Sequence, residues 1–321
     1  MKTEFVGEGS YGCVLKPAKK CDIELNIKNT VVKLFSDENE YIKEINNDNI
    51  IENIFKKNKN TIVKKLSNCI KKIEEYDIEA YSKCNFINYN KHVYQIIYEY
   101  GGIDLNEHLK KKTTFKKIFM NLDNIFFALE ILKKKKYIHQ DIRGPNILLN
   151  IKKKESKLID FGFLIKMKNF NDLDNKYISF NTNYQYPPEI NNTNYVAFFE
   201  NFREEIIKYQ IYFINNKKRK QQFKDIIHYL YQEIGSYSKY TKINRKKINY
   251  NKFDIYMLGT TLFNLFIISN LHKKLGLNDK EYNLILSFIK NLINFNIDKR
   301  YSVEKAKNEY FKIKNVLSKK K

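Results

Sequence analysis

Three polar residues in the middle of the chain have the types and the spacing that chemistry on phosphate requires. Asp141 and Asn146 follow the run 137–138, and Asp160 follows the run 157–159, in the patterns HxDxxxxN and DFG. Because apolar, strand-like residues flank each polar group, we expect all three side chains to project from loops on a rigid scaffold. One carboxylate can orient an attacking hydroxyl and accept its proton, while an amide and a second carboxylate hold Mg²⁺ against phosphate oxygens. The spacing therefore indicates phosphoryl transfer rather than ordinary turn residues.

A glycine-rich segment near the N-terminus could approach the same phosphates. Gly7, Gly9 and Gly12 form the pattern GxGxxG, and glycines let the backbone come close to anionic oxygens. In a dinucleotide-binding unit this pattern would open a helix. Here 13–15 continues as strand-like sequence, which favours a hairpin folded over phosphates.

A lysine in an apolar run supplies the cation that such a site needs. Lys33 lies in Val31–Phe35, where strand alternation turns its side chain away from its apolar neighbours and into a cleft. There the Lys33 ammonium group would bind the α- and β-phosphates, and a paired carboxylate would orient it. Glu44 is the first candidate for that carboxylate, and Glu40, one helical turn earlier, is the alternative.

The elements that carry these residues change in kind along the chain. Strand-like runs precede a charged helix from Asp37 to about Phe55, and the last run ends in a hinge over Glu99–Gly102. Strands first and helices later predict an α+β chain with two segregated parts. The strand-like runs are Lys2–Phe5, Cys13–Leu15, Thr30–Phe35, Ala80–Ile87 and His92–Tyr98.

After the hinge the apolar residues recur every three or four positions, which predicts a half-buried helix that packs on the core. Thr113 or Thr114 would cap its start. The apolar stripe consists of Phe115, Ile118, Phe119, Leu122, Ile125, Phe126, Leu129 and Leu132.

The last third of the chain holds one strongly apolar stretch and one polar interval. Met257–Leu271 is interrupted by polar residues, so it predicts a buried helix rather than a membrane span, and no secretory signal is expected. The polar interval 191–251 contains two helix-compatible stretches, around Tyr195–Ile214 and Gln221–Ile234.

Taken in order, these segments resemble the successive signatures of eukaryotic-type protein kinases. Tyr186–Glu189 is similar to the APE element, 253–259 to a buried helix whose aspartate anchors the catalytic loop, and Arg300 to the arginine that pairs with Glu189. The composition and the N-terminal motif most resemble kinases of large nucleocytoplasmic DNA viruses. The resemblance implies one bilobal kinase domain over 1–321, with a small lobe over about 1–99, a hinge over about 99–102, a larger lobe over about 103–321 and an insertion over about 191–251.

For the nucleotide, the resemblance implies that the backbone of Glu99 and Gly101 binds adenine. Val14 would pack on the adenine face. Lys33, paired with Glu44, would bind the α- and β-phosphates of ATP.

For catalysis, the resemblance implies that Asp141 is the base and that Asn146 and Asp160 hold Mg²⁺, with Mn²⁺ as a substitute. Arg143 takes the place of the usual lysine near the transferred phosphate, and its guanidinium is bulkier and fork-shaped. Thr182, seven positions before the APE glutamate, matches the threonine of Ser/Thr kinases.

Two further departures from the family pattern concern regulation and loop shape. Gln140 replaces the arginine that reads a phosphate on the activation segment, so we expect that control to be missing. Gly144-Pro145 inverts the usual order of the two residues and is expected to shift the backbone of the loop. The long interval 191–251 is an expanded loop or a docking surface.

Composition limits the remaining function classes. The net charge of +23 is spread along a Lys- and Asn-rich chain, which favours a compositional bias over a nucleic-acid interface. The four cysteines show no CxxC spacing, so we expect neither zinc nor a disulfide framework, with a Cys13–Cys21 pair as the less favoured alternative. We place the protein in the cytoplasm, or in the host cytoplasm or virion if it is viral. Protein substrates are the expected partners, no membrane association is expected, and the oligomeric state stays open.

Three competing functions follow from the same residues. A pseudokinase or scaffold would bind a nucleotide or a partner without turnover, as Gln140 and Arg143 suggest. A small-molecule kinase shares the HxD…N loop but generally lacks the APE element and its arginine. A nucleic-acid binder would use the charge alone, and no groove-reading motif accompanies it.

Overall fold

The computed structural model divides the chain into two compact units, Met1–Gly102 and Ile103–Lys321. The structure describes residues 3–8, 12–19, 21, 27–84, 92–111, 113–168, 185–187, 250–271, 273–294 and 296–319. Most of the polar interval 191–251, with its two predicted helices, lies outside the described residues. Within the described ranges, no helix is both long enough and apolar enough to cross a membrane.

The first unit is built on a five-stranded antiparallel sheet in the order β1-β2-β3-β5-β4. One long helix, α1, connects β3 to β4, and a short helix, α2, connects β4 to β5. The elements are β1 (Glu4–Glu8), β2 (Cys13–Lys16), β3 (Thr30–Phe35), α1 (Glu38–Ile54), β4 (Lys65–Lys72), α2 (Ile78–Tyr81) and β5 (His92–Glu99).

The glycine-rich segment forms the β1–β2 hairpin. Gly7 pairs with Val14 and Glu8 with Cys13, so the chain reverses between them and continues as a strand. The predicted hairpin is confirmed, and the helix that a dinucleotide-binding unit would place after the glycines is absent from described residues 12–19.

Helix α1 begins where its sequence provides a cap. The Asp37 carboxylate accepts hydrogen bonds from the backbone N–H groups of Asn39 and Glu40, at 2.7 and 3.1 Å, which satisfies two of the unpaired donors at the helix start. The predicted helix from Asp37 to about Phe55 is therefore confirmed. An apolar cluster of Phe35, Tyr41 and Ile96 joins helix residues to sheet residues.

Two expectations for the first unit are wrong. The run Ala80–Ile87 is not a strand, because its described part lies in α2 and the turn after it. The four cysteines are also not free: Cys13 is bonded to Cys84 and Cys21 to Cys69, with Cα atoms 5.7 and 5.9 Å apart. Folding brings together partners that are 71 and 48 residues apart, which spacing along the chain does not reveal. The prediction of a reducing, intracellular environment rested partly on unpaired cysteines, and the two disulfide bonds remove that support.

The second unit is mostly helical, with two small sheets. One sheet has the order β6-β8-β9 and the other pairs β10 with β7. Its elements are β6 (Ile103–Asp104), α3 (Leu105–Lys110), α4 (Phe115–Phe119), α5 (Asp123–Lys134), β7 (Tyr137–Ile138), β8 (Ile147–Asn150), β9 (Glu155–Leu158), β10 (Ile165–Lys166), α6 (Phe253–Leu271), α7 (Asp279–Leu292) and α8 (Val303–Ser318).

The apolar stripe after the hinge lies on two helices rather than one. Thr114 caps α4, accepting a hydrogen bond from Lys117 N–H, and the helix ends at Phe119. The Asn121 side chain then donates to the Lys117 carbonyl at 2.7 Å, an alternative to helical backbone bonding. The predicted core is nevertheless confirmed, because all eight stripe residues are buried.

Aromatic side chains fill the core between α4, α5, α7 and α8. The Tyr310 ring stacks on Phe126 at 4.3 Å and lies 5.2 Å from Phe119, while Phe288 meets Phe119 edge-on at 5.9 Å. The Tyr310 hydroxyl hydrogen-bonds to Asp123 Oδ1 at 2.6 Å, so its polar end is satisfied. Helix α6 is buried along nearly all of its described face, as Met257–Leu271 predicts.

Candidate active site

A lysine–glutamate pair marks the first unit. Lys33 Nζ lies 2.6 Å from Glu44 Oε1, and both side chains are 23% exposed. Lys33 pairs with Ile96 across β3 and β5, and so lies on the sheet face that carries the α1-facing cluster. Of the two carboxylates that the sequence offers, Glu44 is therefore the one that contacts Lys33. Glu40 instead pairs with Lys43 at 2.5 Å.

The glycine-rich hairpin lies close against Lys33. A Cβ atom on Gly12 would come within 3.0 Å of both the Leu34 carbonyl oxygen and Lys33 Cε, so no side chain fits there without a shift. Gly7 has open space around the same position. Val14 is the cross-strand partner of Lys33, whereas Gly9 lies outside the described residues.

A buried carboxylate on α6 anchors the loop between β7 and β8. Asp254 on α6 accepts hydrogen bonds from the backbone N–H groups of His139 and Gln140, at 2.9 and 3.1 Å. Burial raises the pKa of Asp254 to about 6, although the two hydrogen bonds act in the opposite direction. Gln140 adopts φ 69°, a left-handed conformation that this anchoring sustains.

Asp141 is surrounded by partners that fix its carboxylate. Asn146 Nδ2 donates to Asp141 Oδ2 at 2.6 Å and to its carbonyl at 2.9 Å. Arg143 Nε lies 3.2 Å from the same Oδ2. Burial raises the pKa of Asp141, Arg143 and Asn146 act to lower it, and the nearby Asp160 charge adds to the rise. The structure thus brings Asp141 and Asn146 together, and Asp160 lies close enough for its charge to raise the pKa of Asp141.

His139 joins this loop to the segment that carries Asp160. The Asp141 N–H donates to His139 Nδ1 at 3.2 Å, so Nε2 carries the proton and donates to the Ile159 carbonyl at 3.1 Å. Burial lowers the pKa of His139 to about 4. Its ring also lies 4.8 Å from that of Phe161. These contacts make the two loops one structural unit.

Asp160 and Asn146 offer hard oxygen donors. Asp160 is exposed and adopts φ 61°, a strained conformation that Asp tolerates better than most residues. The Asn146 amide nitrogen is used by Asp141, which leaves its carbonyl oxygen for a cation. In the described ranges no group of three or more His, Cys, Asp or Glu residues could hold a metal. A divalent ion here would therefore depend on phosphate oxygens and water as well, as Mg²⁺ commonly does.

The inverted Gly144-Pro145 pair forms a short 3₁₀ turn, Gly144–Asn146. The Asn146 N–H donates to the Arg143 carbonyl at 2.9 Å, and a side chain on Gly144 would overlap that of Asn106. The turn therefore delivers Asn146 to Asp141 even with the two residues exchanged.

Several predicted site residues cannot be placed or have other visible partners. Thr182 and Glu189 lie outside the described residues. Arg300 is buried; its Nε donates to the Asn294 carbonyl at 2.8 Å, and its guanidinium lies 4.8 Å from the Tyr256 ring. The backbone N–H of Glu99 donates to the Lys64 carbonyl at 3.0 Å.

A hydrogen bond between Asp48 and Tyr98 is not among the contacts that the sequence predicts. Asp48, one helical turn after Glu44, accepts a hydrogen bond from the Tyr98 hydroxyl at 2.9 Å. The spacing of four residues on a helix was the available signal, since it places the two carboxylates on one face.

A sheet with a Lys–Glu pair under a glycine-rich hairpin, and a loop with interlocked Asp and Asn before a second Asp, define the class of ATP-dependent phosphotransferases. The family model described as protein kinase domain matches residues 1–311. The chain belongs to the protein kinase domain family. Phosphoryl transfer, use of ATP with a divalent metal, and protein substrates follow as its general activity. None of the curated proteins compared with the chain matches it.

Proposed function

We propose that the protein is an active serine/threonine kinase that transfers the γ-phosphoryl group of ATP to hydroxyls of protein substrates. The observation that carries the proposal is the Asp141 carboxylate, buried and fixed by Asn146 Nδ2 at 2.6 Å. A carboxylate held this way can orient a hydroxyl and take its proton, the one acid–base task that this reaction sets.

The nucleotide would be bound by residues of the first unit. Lys33, steered by Glu44, would bind the α- and β-phosphates, and the 2.6 Å ion pair supports that role because it fixes the ammonium group. The hairpin of Gly7, Gly9 and Gly12 would cover the phosphates. Val14 would pack on adenine, and the backbone of Glu99 and Gly101 would bind its edge.

Asn146 and Asp160 would hold Mg²⁺, or Mn²⁺ in its place. Both supply oxygen ligands, which these hard cations prefer. The ion, when bound, neutralises charge on the phosphate oxygens. Arg143 would add a second positive charge beside the transferred group. The preference for Ser and Thr rests on Thr182, which matches the family threonine in sequence.

The test is transfer of labelled phosphate from ATP to generic acidic and basic proteins. Wild type should transfer, and Asp141→Asn should lower turnover by about 10²–10⁴-fold, the usual contribution of a general base. Asp298→Asn, which changes an exposed carboxylate of the same unit, is the matched control and should transfer like wild type. Equal, background-level transfer by wild type and Asp141→Asn would refute an active kinase.

A pseudokinase is the second candidate, favoured by one contact. Arg143 Nε lies 3.2 Å from Asp141 Oδ2, the same oxygen that Asn146 binds. A guanidinium on that oxygen stabilises the charged carboxylate and makes it a weaker base. Nucleotide binding without transfer in either Mg²⁺ or Mn²⁺, and recovery of transfer in Arg143→Lys, would identify this contact as the cause.

A further inference from the structure

Near its middle, helix α1 contacts the sheet through polar groups as well as through apolar packing. Its buried residues are Tyr41 near the start and Ile51 and Ile54 near the end. The turn that carries Glu44 lies between them. This turn is anchored by the Lys33–Glu44 pair, by the partly buried Ile45, which packs on the apolar cluster, and, one turn later, by the contact between Asp48 and Tyr98. Because no side chain of this turn is fully buried, its directional polar contacts add to the packing of Ile45 in fixing where this part of the helix lies.

Tyr98 offers a rigid point of attachment. It lies on β5 between β3 and β4, paired with Val31 on one side and Lys65 on the other. Its hydroxyl donates to Asp48 Oδ2 at 2.9 Å. Burial, followed by the charges of Asp48 and Glu44, raises the pKa of Tyr98 well above its ordinary value, so the phenol keeps the proton that it donates.

Asp48 is a partly buried carboxylate beside a second carboxylate, Glu44. Burial raises its pKa to about 6, and the neighbouring Glu44 charge adds to the rise. The Tyr98 hydrogen bond and the Lys65 and Lys33 charges act in the opposite direction. A leucine would avoid the cost of burying a carboxylate but could not accept the hydroxyl proton.

We propose that Asp48 and Tyr98 are positioning residues that fasten the middle of α1 to β5 and thereby hold Glu44 against Lys33. The inference deepens the proposed function, on which its effect on ATP rests. The contact itself is independent of ATP. Residues 44 and 48 lie on the same helix face, so a shift of the helix at one moves the other by a similar amount.

The first experiment reads the state of Lys33 without any turnover. Acetylation of Lys33 by an amine-reactive ester, followed by mass spectrometry, should be slow while Lys33 Nζ is held in its 2.6 Å ion pair with Glu44. Tyr98→Phe, which removes only the hydroxyl, and Asp48→Leu should both accelerate labelling toward the rate of Glu44→Gln. Asp48→Asn retains an acceptor oxygen and should stay near wild type. Glu52→Gln, one turn further along on an exposed position, is the matched control and should not change the rate.

The second experiment measures ATP dependence in the same variants. Loss of a hydrogen bond to a charged group should raise KM for ATP about 10-fold in Tyr98→Phe and Asp48→Leu, while kcat at saturating ATP changes less. Asp48→Asn should keep KM for ATP near the wild-type value, unlike Asp48→Leu. If residue 48 acted only by apolar packing, Asp48→Leu would be the better tolerated of the two. Unchanged Lys33 labelling in folded Tyr98→Phe would overturn the inference. Should wild type neither bind ATP nor transfer phosphate, the proposed function fails while the labelling result still decides the positioning role.

Discussion

Asp254→Asn changes the group that anchors the loop carrying Asp141 and gives a measurable pH signature. The wild-type residue is 8% exposed, and its carboxylate accepts two backbone hydrogen bonds. Its pKa is about 6 in the folded protein, against an ordinary value of 3.8. Between these values the folded chain binds more protons than the unfolded chain, so its contribution to stability is present below pH 3.8 and is lost as pH rises through about 6.

The difference between the two pKa values corresponds to about 3 kcal/mol. Wild type should lose about 3 kcal/mol of unfolding free energy through Asp254 between about pH 4 and about pH 7. An asparagine does not titrate, so Asp254→Asn should not show this loss. The difference in unfolding free energy, variant minus wild type, should therefore rise by about 3 kcal/mol over this range. Titration of His139 raises stability as pH rises, opposite to the effect of Asp254, and it does so in both proteins. Its pKa falls from 6.5 to about 4 on folding, so its contribution is complete above pH 6.5 and is lost as pH falls toward 4. Asp48 also titrates in both proteins, so the comparison isolates residue 254.

Urea unfolding followed by circular dichroism across this pH range gives the two stability curves. Asp298→Asn, which removes an exposed carboxylate of the same unit, is the control for the loss of one surface charge. Activity should fall in Asp254→Asn at every pH, because one amide oxygen replaces two carboxylate oxygens that serve the two N–H groups. Parallel stability curves for wild type and Asp254→Asn would refute the reasoning, since they would mean that the carboxylate titrates alike in both states.

Two further predictions concern the first unit. Gly12→Ala should lower the free energy of unfolding by about 1–3 kcal/mol in a denaturant titration, because its Cβ would press on the Leu34 carbonyl at 3.0 Å. Gly7→Ala, with open space at the same atom, should leave stability within about 0.5 kcal/mol, and equal losses would contradict the packing argument. For the two disulfide bonds, alkylation of the unfolded, unreduced protein should label no cysteine and labelling after reduction should reach all four. Reduction should also cost about 4 kcal/mol for each loop closed, and four reactive thiols before reduction would rule the bonds out.

Much of the fold is visible in the sequence where local pattern decides it. The strand Thr30–Phe35 and the helix after Asp37 follow from alternation and from a cap, both of which depend on near neighbours. Strand β4 was missed because it lies at the edge of the sheet and alternates half-buried with exposed residues, without an apolar face. The break between α4 and α5 was missed because the apolar stripe continues across it.

The site divides in the same way. Asp141 and Asn146 were predictable together because a single short loop carries both. The choice of Glu44 over Glu40 needed the placement of α1 on the sheet, which one helical turn of sequence does not determine. Helical spacing places Asp48 on the face that carries Glu44, but it does not identify Tyr98, 50 positions away, as the partner of Asp48. The disulfide partners are equally non-local, and spacing alone never fixes their pairing.

The proposed function requires Lys33 and Asp160 to act on the same ATP in one phosphoryl transfer. The direct test compares kcat/KM for Lys33→Ala, Asp160→Asn and the double variant. Groups that stabilise one transition state should each cost about 10²–10³-fold, and the double variant should fall no more than about 10-fold below the worse single variant, because such effects are not additive. Single effects that multiply in full, or single variants as active as wild type, would contradict the claim.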